Sequence, residues 1–195
     1  LVLPIVQQSV GGKVSAVLSE TLGTEVTIGR VDLGFLDRII IDDVTILDQH
    51  HLPMLLVTRL SAKVDILPLT QGRISISSAQ LFGAHARLWQ QDAQSKPNFL
   101  FVIDSLAPKD TLSHTPLDLR INSLIIRRSS MTFDRKDAAR TTGKFNLHHL
   151  HINDLSAHIN LWTLTDDSLN VNVKKLSLSE TSGLDINQLS FRLAL

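Results

Sequence analysis

Three histidines, His148, His149 and His151, form the densest group of metal-ligating side chains in the sequence. Side chains on a strand alternate between faces, so His149 and His151 would share one face and His148 would take the other. At most two could reach one ion, and zinc needs further ligands from elsewhere. The expectation is polar-face histidines at a bulge and its flank, with no metal site. Asp42-Asp43 and Asp166-Asp167 resemble the carboxylate pairs of acid–base catalysis. Neighbours on a strand diverge, however, so both pairs read as turn or bulge residues. Gly11-Gly12-Lys13-Val14-Ser15 lacks the upstream glycine and the Lys-Ser/Thr adjacency of a phosphate loop, and it sits inside an amphipathic helical pattern. Arg135, Lys136, Arg140 and Lys144 gather in an expected hairpin loop, a solvated tip whose alternative use is contact with an anionic headgroup. Neither Gly-x-Ser-x-Gly, nor His-Glu-x-x-His, nor Gly-x-Gly-x-x-Gly occurs. The sequence names no catalytic residue, no metal ligand and no cofactor, and it points away from an enzyme.

What would position any functional group is a repeated figure of eight residues: apolar, any, apolar, two polar, apolar, any, apolar. Seven instances carry the reading, at 26–33, 39–46, 74–81, 119–126, 145–152, 171–178 and 184–191. Its central pairs are Gly29-Arg30, Asp42-Asp43, Ser77-Ser78, Asn122-Ser123, His148-His149, Lys174-Lys175 and Asn187-Gln188. Recurrence of one unit is the mark of a repeat architecture. At about 100° per residue the four apolar positions would scatter around a helix, so the figure is not helical. Each half has the period of a strand with one buried face, and the additional central residue reverses the parity. A two-residue hairpin turn favours Asn-Gly or Asp-Gly, which Asp-Asp, His-His and Lys-Lys do not supply. A β-bulge restores the face and bends the strand. The predicted fold is mainly β: a curled antiparallel sheet of bulged strands in mostly sequential order, forming a β-groove with an apolar concave face.

Composition sets the outer limits. The 195 residues allow one large all-β domain or two small ones. Lys and Arg number 19, as do Asp and Glu, and this balance argues against nucleic acid as a partner. Cysteine is absent, so no disulfide or thiolate chemistry is available. Tyr is also absent and aromatics make up 5%, which leaves Leu, Ile and Val to form the apolar surface. No run approaches the roughly 18–20 apolar residues that span a bilayer. The chain opens on Leu1-Val2-Leu3-Pro4 and ends at Leu195 in mid-alternation. That reads as a fragment of a longer protein whose targeting segment lies elsewhere.

Residues 4–22 place Val6, Val10, Val14, Val17, Leu18 and Leu22 at helical spacing, with Gly23 as a stop. This helix is expected to cap one end of the sheet, the alternative being a membrane-surface helix. Strands follow at 24–34, 38–48, 57–66, 73–82 and 84–91. Asn98 is an acceptable N-cap for a second short helix carrying Phe99, Leu100, Ile103 and Leu106, which Pro108 ends. Residues 107–116 make a connector. From 117 onward the chain reads as successive strands, broken at 135–144 and near 164–168.

The first hundred residues resemble the amino-terminal region of the AsmA-like superfamily, more closely its TamB-type branch from Bacteroidetes-type bacteria. The likeness rests on an ordered series. Leu3-Pro4-Ile5-Val6-Gln7 leads into a helix ending Leu18-Ser19-Glu20-Thr21-Leu22-Gly23. Then come Glu25-Val26-Thr27-Ile28-Gly29-Arg30-Val31-Asp32-Leu33 and Ile41-Asp42-Asp43-Val44-Thr45-Ile46-Leu47-Asp48. A Leu-rich segment runs to Val64-Asp65, and Arg73-Ile74-Ser75-Ile76 and Lys96-Pro97-Asn98-Phe99-Leu100-Phe101 complete the series. Beyond about residue 110 only the strand pattern continues it.

The resemblance implies a periplasmic protein held in the inner membrane by an amino-terminal anchor preceding residue 1. Residues 1–23 would be the helix after that anchor and 24–195 the β-groove domain. It implies a groove that binds phospholipid and conducts acyl chains between inner and outer membranes, in outer-membrane biogenesis. The alternative is an assembly scaffold partnering an outer-membrane barrel through a carboxy-terminal domain that this chain lacks. The lipid-facing positions would be Val26, Ile28, Ile39, Ile41, Ile74, Ile76, Leu119, Ile121, Leu124, Phe145, Leu147, Val171, Val173, Leu184 and Ile186.

Overall fold

Alternating aliphatic residues broken by paired polar ones force long strands that must bend, and the protein is built from such strands. The structure is a computed structural model that describes residues 4–34, 37–64, 74–106, 117–118, 122–165 and 168–194. Helix α1 (Pro4–Leu22) precedes β1 (Val26–Thr27), β2 (Arg30–Leu33), β3 (Arg38–Leu47), β4 (Pro53–Val64) and β5 (Ile74–Gln90). Helix α2 (Leu100–Leu106) follows, then β6 (Leu117–Asp118), β7 (Ser123–Arg135), β8 (His149–Thr165), β9 (Ser168–Glu180) and β10 (Asp185–Ala194). Strands make up 60% of the chain, in a curled, unclosed and mostly antiparallel sheet. The order is β1-β3-β4-β5-β7-β8-β9-β10, with β2 beside β3 and β6 beside β5.

One junction departs from the expected hairpins. β5 and β7 run parallel, from Ser78 opposite Ser123 to Gln90 opposite Arg135. A parallel neighbour needs a crossover, and the segment holding α2 provides it. The segment expected as two strands at 73–82 and 84–91 holds one strand, β5 (Ile74–Gln90), with Gly83 in its middle at φ +63°. A Cβ at Gly83 would lie 2.7 Å from Thr58 Oγ1. Backbone conformation and space therefore both require glycine there.

Gly83 belongs to a line of left-handed residues across the sheet. Asp43 (φ +56°) lies opposite Thr58, Thr58 opposite Gly83, and Gly83 beside Arg128 (φ +48°), followed by Asp154 (φ +48°) on β8. Each such residue reverses the inward–outward alternation of its strand. Ala84 lies at this line, and its backbone N–H donates to Ser129 Oγ at 3.1 Å. Ser129 is only 3% exposed, so its hydroxyl satisfies a group that would otherwise be buried without a partner. Register shifts also fall at Ser77 on β5, at Lys174–Lys175 on β9 and at Asn187–Gln188 on β10.

The expected strand over 145–152 is corrected. Residues 145–148 form a turn, and β8 begins only at His149. Asn146 drives this: its Oδ1 accepts from His148 N at 3.0 Å, and its Nδ2 donates to Ala139 O at 3.1 Å. An Asn that bonds neighbouring backbone in this way competes with strand pairing.

The core lies at the β1–β5 end. Leu22, Val26, Val31, Ile41, Val44, Val57 and Ala84 are buried together, with Val14 and Leu18 of α1 and Val102 of α2 packed against them. Gly11 is buried in α1, and a Cβ there would come within 3.8 Å of Val31. Ser19 Oγ accepts from Val26 N at 2.9 Å, and Ser15 Oγ donates to Val26 O. The helix covers the short edge strand β1 with hydroxyls as well as hydrocarbon, in keeping with the expected cap.

Asn98 does not cap α2. Its Oδ1 accepts from Trp89 N at 2.9 Å, while its Nδ2 donates to Asp48 Oδ2 at 3.1 Å and Arg87 O at 3.2 Å. Asp48 is 1% exposed and also accepts from Trp89 Nε1 at 3.0 Å, His50 N at 2.8 Å and Leu52 N at 3.1 Å. Burial alone would raise its pKa, but the Asn98 amide, the Leu52 and His50 backbone and the Trp89 indole together hold it below the usual carboxylate range. This network ties the β3–β4 turn to the end of β5 and the approach to α2.

Candidate functional site

Strand registers align the aliphatic positions into rows. One row runs Ile39, Ala62, Ala79, Leu124, Ile159, Val173, Phe191 across β3, β4, β5, β7, β8, β9 and β10. Beside it runs Val31, Ile41, Leu60, Leu81, Ile126, Ala157, Leu176, Leu189, beginning on β2. Every position in both rows is apolar. Residues directly opposite across neighbouring strands have Cβ atoms about 4.5–5.5 Å apart, so each row forms a continuous aliphatic band. The bulge at Lys174–Lys175 keeps Val173 and Leu176 in their two rows despite the additional residue between them.

Exposure changes along these bands. Val31 and Ile41 are each 5% exposed beneath α1, whereas Leu189 is 41% and Phe191 43% exposed on β10. Among the described residues the helices pack at the β1–β2 end, and the main contacts of β7–β10 are with neighbouring strands. The band is therefore core beneath the helices and exposed on β10, with Ala157 and Val173 still buried on β8 and β9.

The expected lipid-facing residues divide accordingly. Val26 and Ile41 are buried in the core, and Ile28 and Ile39 pack against it. Ile76, Leu124, Val171 and Ile186 are partly buried, while Val173 is buried. Ile74 opens β5. Leu119 and Ile121 lie outside the described residues. Phe145 and Leu147, in the 145–148 turn, are 48% and 66% exposed and belong to no row, and Leu184 precedes β10 at 38% exposure. Leu189, Phe191 and Leu193, exposed on β10, and the half-buried Ile126, Ile159 and Leu176 are not among the expected residues.

The other candidates resolve individually. His149 Nδ1 lies 2.8 Å from Asp134 Oδ1 and its Nε2 2.9 Å from Ala138 O, so both ring nitrogens face acceptors. His148 and His151 are exposed, and no group of three metal-ligating residues converges among the described residues. Asp42 is bracketed by Arg59 (2.7 and 3.1 Å) and Arg30 (2.9 Å), while Asp43 occupies the left-handed position. Hydrogen bonding from Arg59 is the main influence holding the Asp42 pKa below its usual range, with Arg30 adding to it. Asp166 and Asp167 lie outside the described residues. In the 135–144 loop, Arg135 meets Asp137 at 2.9 Å, Arg140 meets Asp134 at 3.0 Å, and Lys136 Nζ sits 3.8 Å above the Trp89 ring. Three of its four cations thus already have local partners. At the β9–β10 turn Glu180, 6% exposed, accepts from Ser182 N at 2.8 Å and from the Ser182 hydroxyl. The Ser182 hydroxyl is the leading cause of its lowered pKa.

Comparison with known proteins finds no matching family model, no matching curated protein and no matching solved structure. No described helix is long and apolar enough to cross a membrane.

Proposed function

We propose that this chain is a non-enzymatic, AsmA-like β-groove of the TamB type that binds phospholipid acyl chains and conducts them along its aliphatic face. In this reading the protein works in the periplasm of a Gram-negative envelope, tethered to the inner membrane by an anchor outside the present sequence. It would serve outer-membrane biogenesis. The observation that carries the reading is the pair of apolar rows running the width of the sheet and becoming exposed at β10. Moving an acyl chain into water costs about 0.8 kcal/mol per methylene, of order 10 kcal/mol for a sixteen-carbon chain. A continuous aliphatic band offsets most of that cost while the headgroup stays in water, and no reacting group is needed. The recurring bulged figure would be the device that keeps this band on one face as the sheet lengthens.

The second reading, an assembly scaffold that docks an outer-membrane barrel, is favoured by the same exposed residues on β10, an edge strand among the described residues. Native mass spectrometry of protein purified from phospholipid-containing membranes separates the two. The groove reading expects phospholipid adducts that detergent exchange removes and re-addition restores. Delipidated protein that takes up none would favour the scaffold.

A further inference from the structure

Two bulges of the sheet carry a feature that the lipid-groove reading leaves unused. The left-handed Arg128 reverses the parity of β7, so Ile126 and Ser129 turn inward and the consecutive Arg127 and Arg128 both stay exposed. The bulge in β9 does the same for Lys174 and Lys175, between the inward Val173 and Leu176. Two double-cation bulges therefore flank β8, where His158 pairs in register with Ile125 on one side and Lys175 on the other. Between them lies an open cleft of about 670 Å³ lined by Arg127, Arg128, His158 and Lys175, with Phe82 and Ile125 as its apolar wall and Ile126 and Ala157 of the aliphatic row also reaching it. The hydroxyls of Ser156 and Ser177 also line it, and no carboxylate does.

The grouping of these cations at two bulges sets them apart, since Lys13, Arg87, Lys96 and Lys144 also lack a carboxylate partner among the described residues but stand singly. Arg30, Arg59, Lys63, Arg135 and Arg140 each have a carboxylate oxygen 2.7–3.4 Å away. Arg127, Arg128, Lys174 and Lys175 pair with no carboxylate among the described residues, and the Arg128 guanidinium instead lies 5.5 Å from the centre of the Phe82 ring. Like charges held together without counter-charges call for an external anion. Guanidinium forks match phosphate oxygens geometrically. Phe82 and Ile125 offer apolar contact to the organic part of an ester.

We propose that this outer cleft is a binding site for a phosphate ester. The phosphate would lie between Arg127, Arg128 and Lys175, and its organic substituent against Phe82 and Ile125. The inference goes beyond the acyl-chain groove and does not depend on it, because its phosphate contacts come from the exposed Arg127, Arg128 and Lys175, which belong to neither aliphatic row. The shared chemistry has two sources, a phospholipid headgroup presented by a bilayer and a soluble phosphomonoester, and two assays separate them. Flotation measures binding to phosphatidylglycerol vesicles against phosphatidylcholine vesicles. Calorimetry measures binding of glycerol 3-phosphate.

The variant is Arg127→Gln/Lys175→Gln. The control of equal charge change is Arg87→Gln/Lys96→Gln, at exposed positions outside the cleft. The site expects binding in at least one assay, weakened about thirtyfold by the cleft variant at about fivefold per cation, with the control within about twofold of wild type. Preference for phosphatidylglycerol vesicles identifies a headgroup, and binding of glycerol 3-phosphate identifies a soluble ester. No binding in either assay, or equal losses in the cleft variant and the control, overturns the proposal.

Discussion

Truncating the two ends of the aliphatic band should have opposite consequences. Ile41, 5% exposed beneath α1, loses three carbons in Ile41→Ala. At about 0.8 kcal/mol per buried methylene the transfer term is about 2.4 kcal/mol. A residual cavity raises the cost to about 3–4 kcal/mol, because helix and strand close only partly around it. Phe191 is 43% exposed on the β10 edge, and the described residues place no second layer over it. A fully buried Phe→Ala change costs about 3–5 kcal/mol, and partial exposure without a closed cavity brings Phe191→Ala to about 1–1.5 kcal/mol. Urea unfolding followed by circular dichroism measures both, and incorporation of a photoreactive fatty acyl probe into each folded variant gives the functional counterpart. Ile41→Ala should lower the midpoint strongly and leave probe labelling intact at a denaturant-free temperature well below melting. Phe191→Ala should barely move the midpoint yet reduce labelling. Equal destabilisation by the two substitutions would refute the division of the band into a covered core and an open end.

Asp48→Ala removes the acceptor for four donors, two of them the buried Trp89 indole and Asn98 amide. It should cost about 3–5 kcal/mol, read as a fall in melting temperature of about 10 °C. Gly83→Ala should cost at least about 2 kcal/mol from its left-handed backbone and the contact with Thr58, and adding Thr58→Ala should recover the part due to contact, as a double-mutant cycle by urea unfolding will show. Asp42, Asp48 and Glu180 all have lowered pKa values in the folded state. Their contribution is complete above the ordinary carboxylate range and is lost as pH falls through the lower folded values, so melting temperature should be level above about pH 5 and fall below about pH 4. Ser19→Ala leaves the Val26 N–H without its hydroxyl acceptor, and should cost about 1 kcal/mol in the same unfolding assay.

Much of this architecture is legible in the residues, for stated reasons. Val14, Leu18 and Leu22 recur at helical spacing with a glycine stop, and the helix spans Pro4–Leu22. Alternation in Ile39–Ile46 and Val171–Leu178 fixes strands, because only a period of two buries one face. The line of reversals through Gly83, Arg128 and Asp154 was harder to read. The eight-residue figure also fits Leu55–Ala62 and Leu150–Ala157, but the latter overlaps a competing match at 145–152. On β7 the inward slot after Arg128 is filled by Ser129, whose hydroxyl serves Ala84, so hydropathy hides it. The turn at 145–148 was missed because Phe145 and Leu147 imitate an alternating strand, while Asn146 decides the backbone. The parallel β5–β7 pair depends on a crossover through α2, which no local pattern encodes. The outer cleft was invisible because Arg127-Arg128 and Lys174-Lys175 are adjacent only when their strands are laid side by side.

The most direct test of the central claim places a photo-crosslinking amino acid at Leu189, on the aliphatic row, and separately at its neighbour Ser190, in protein expressed in cells that supply phospholipid. The groove account predicts phospholipid adducts at position 189 and few or none at position 190. Absence of adducts at 189, or equal labelling at both positions, would contradict it.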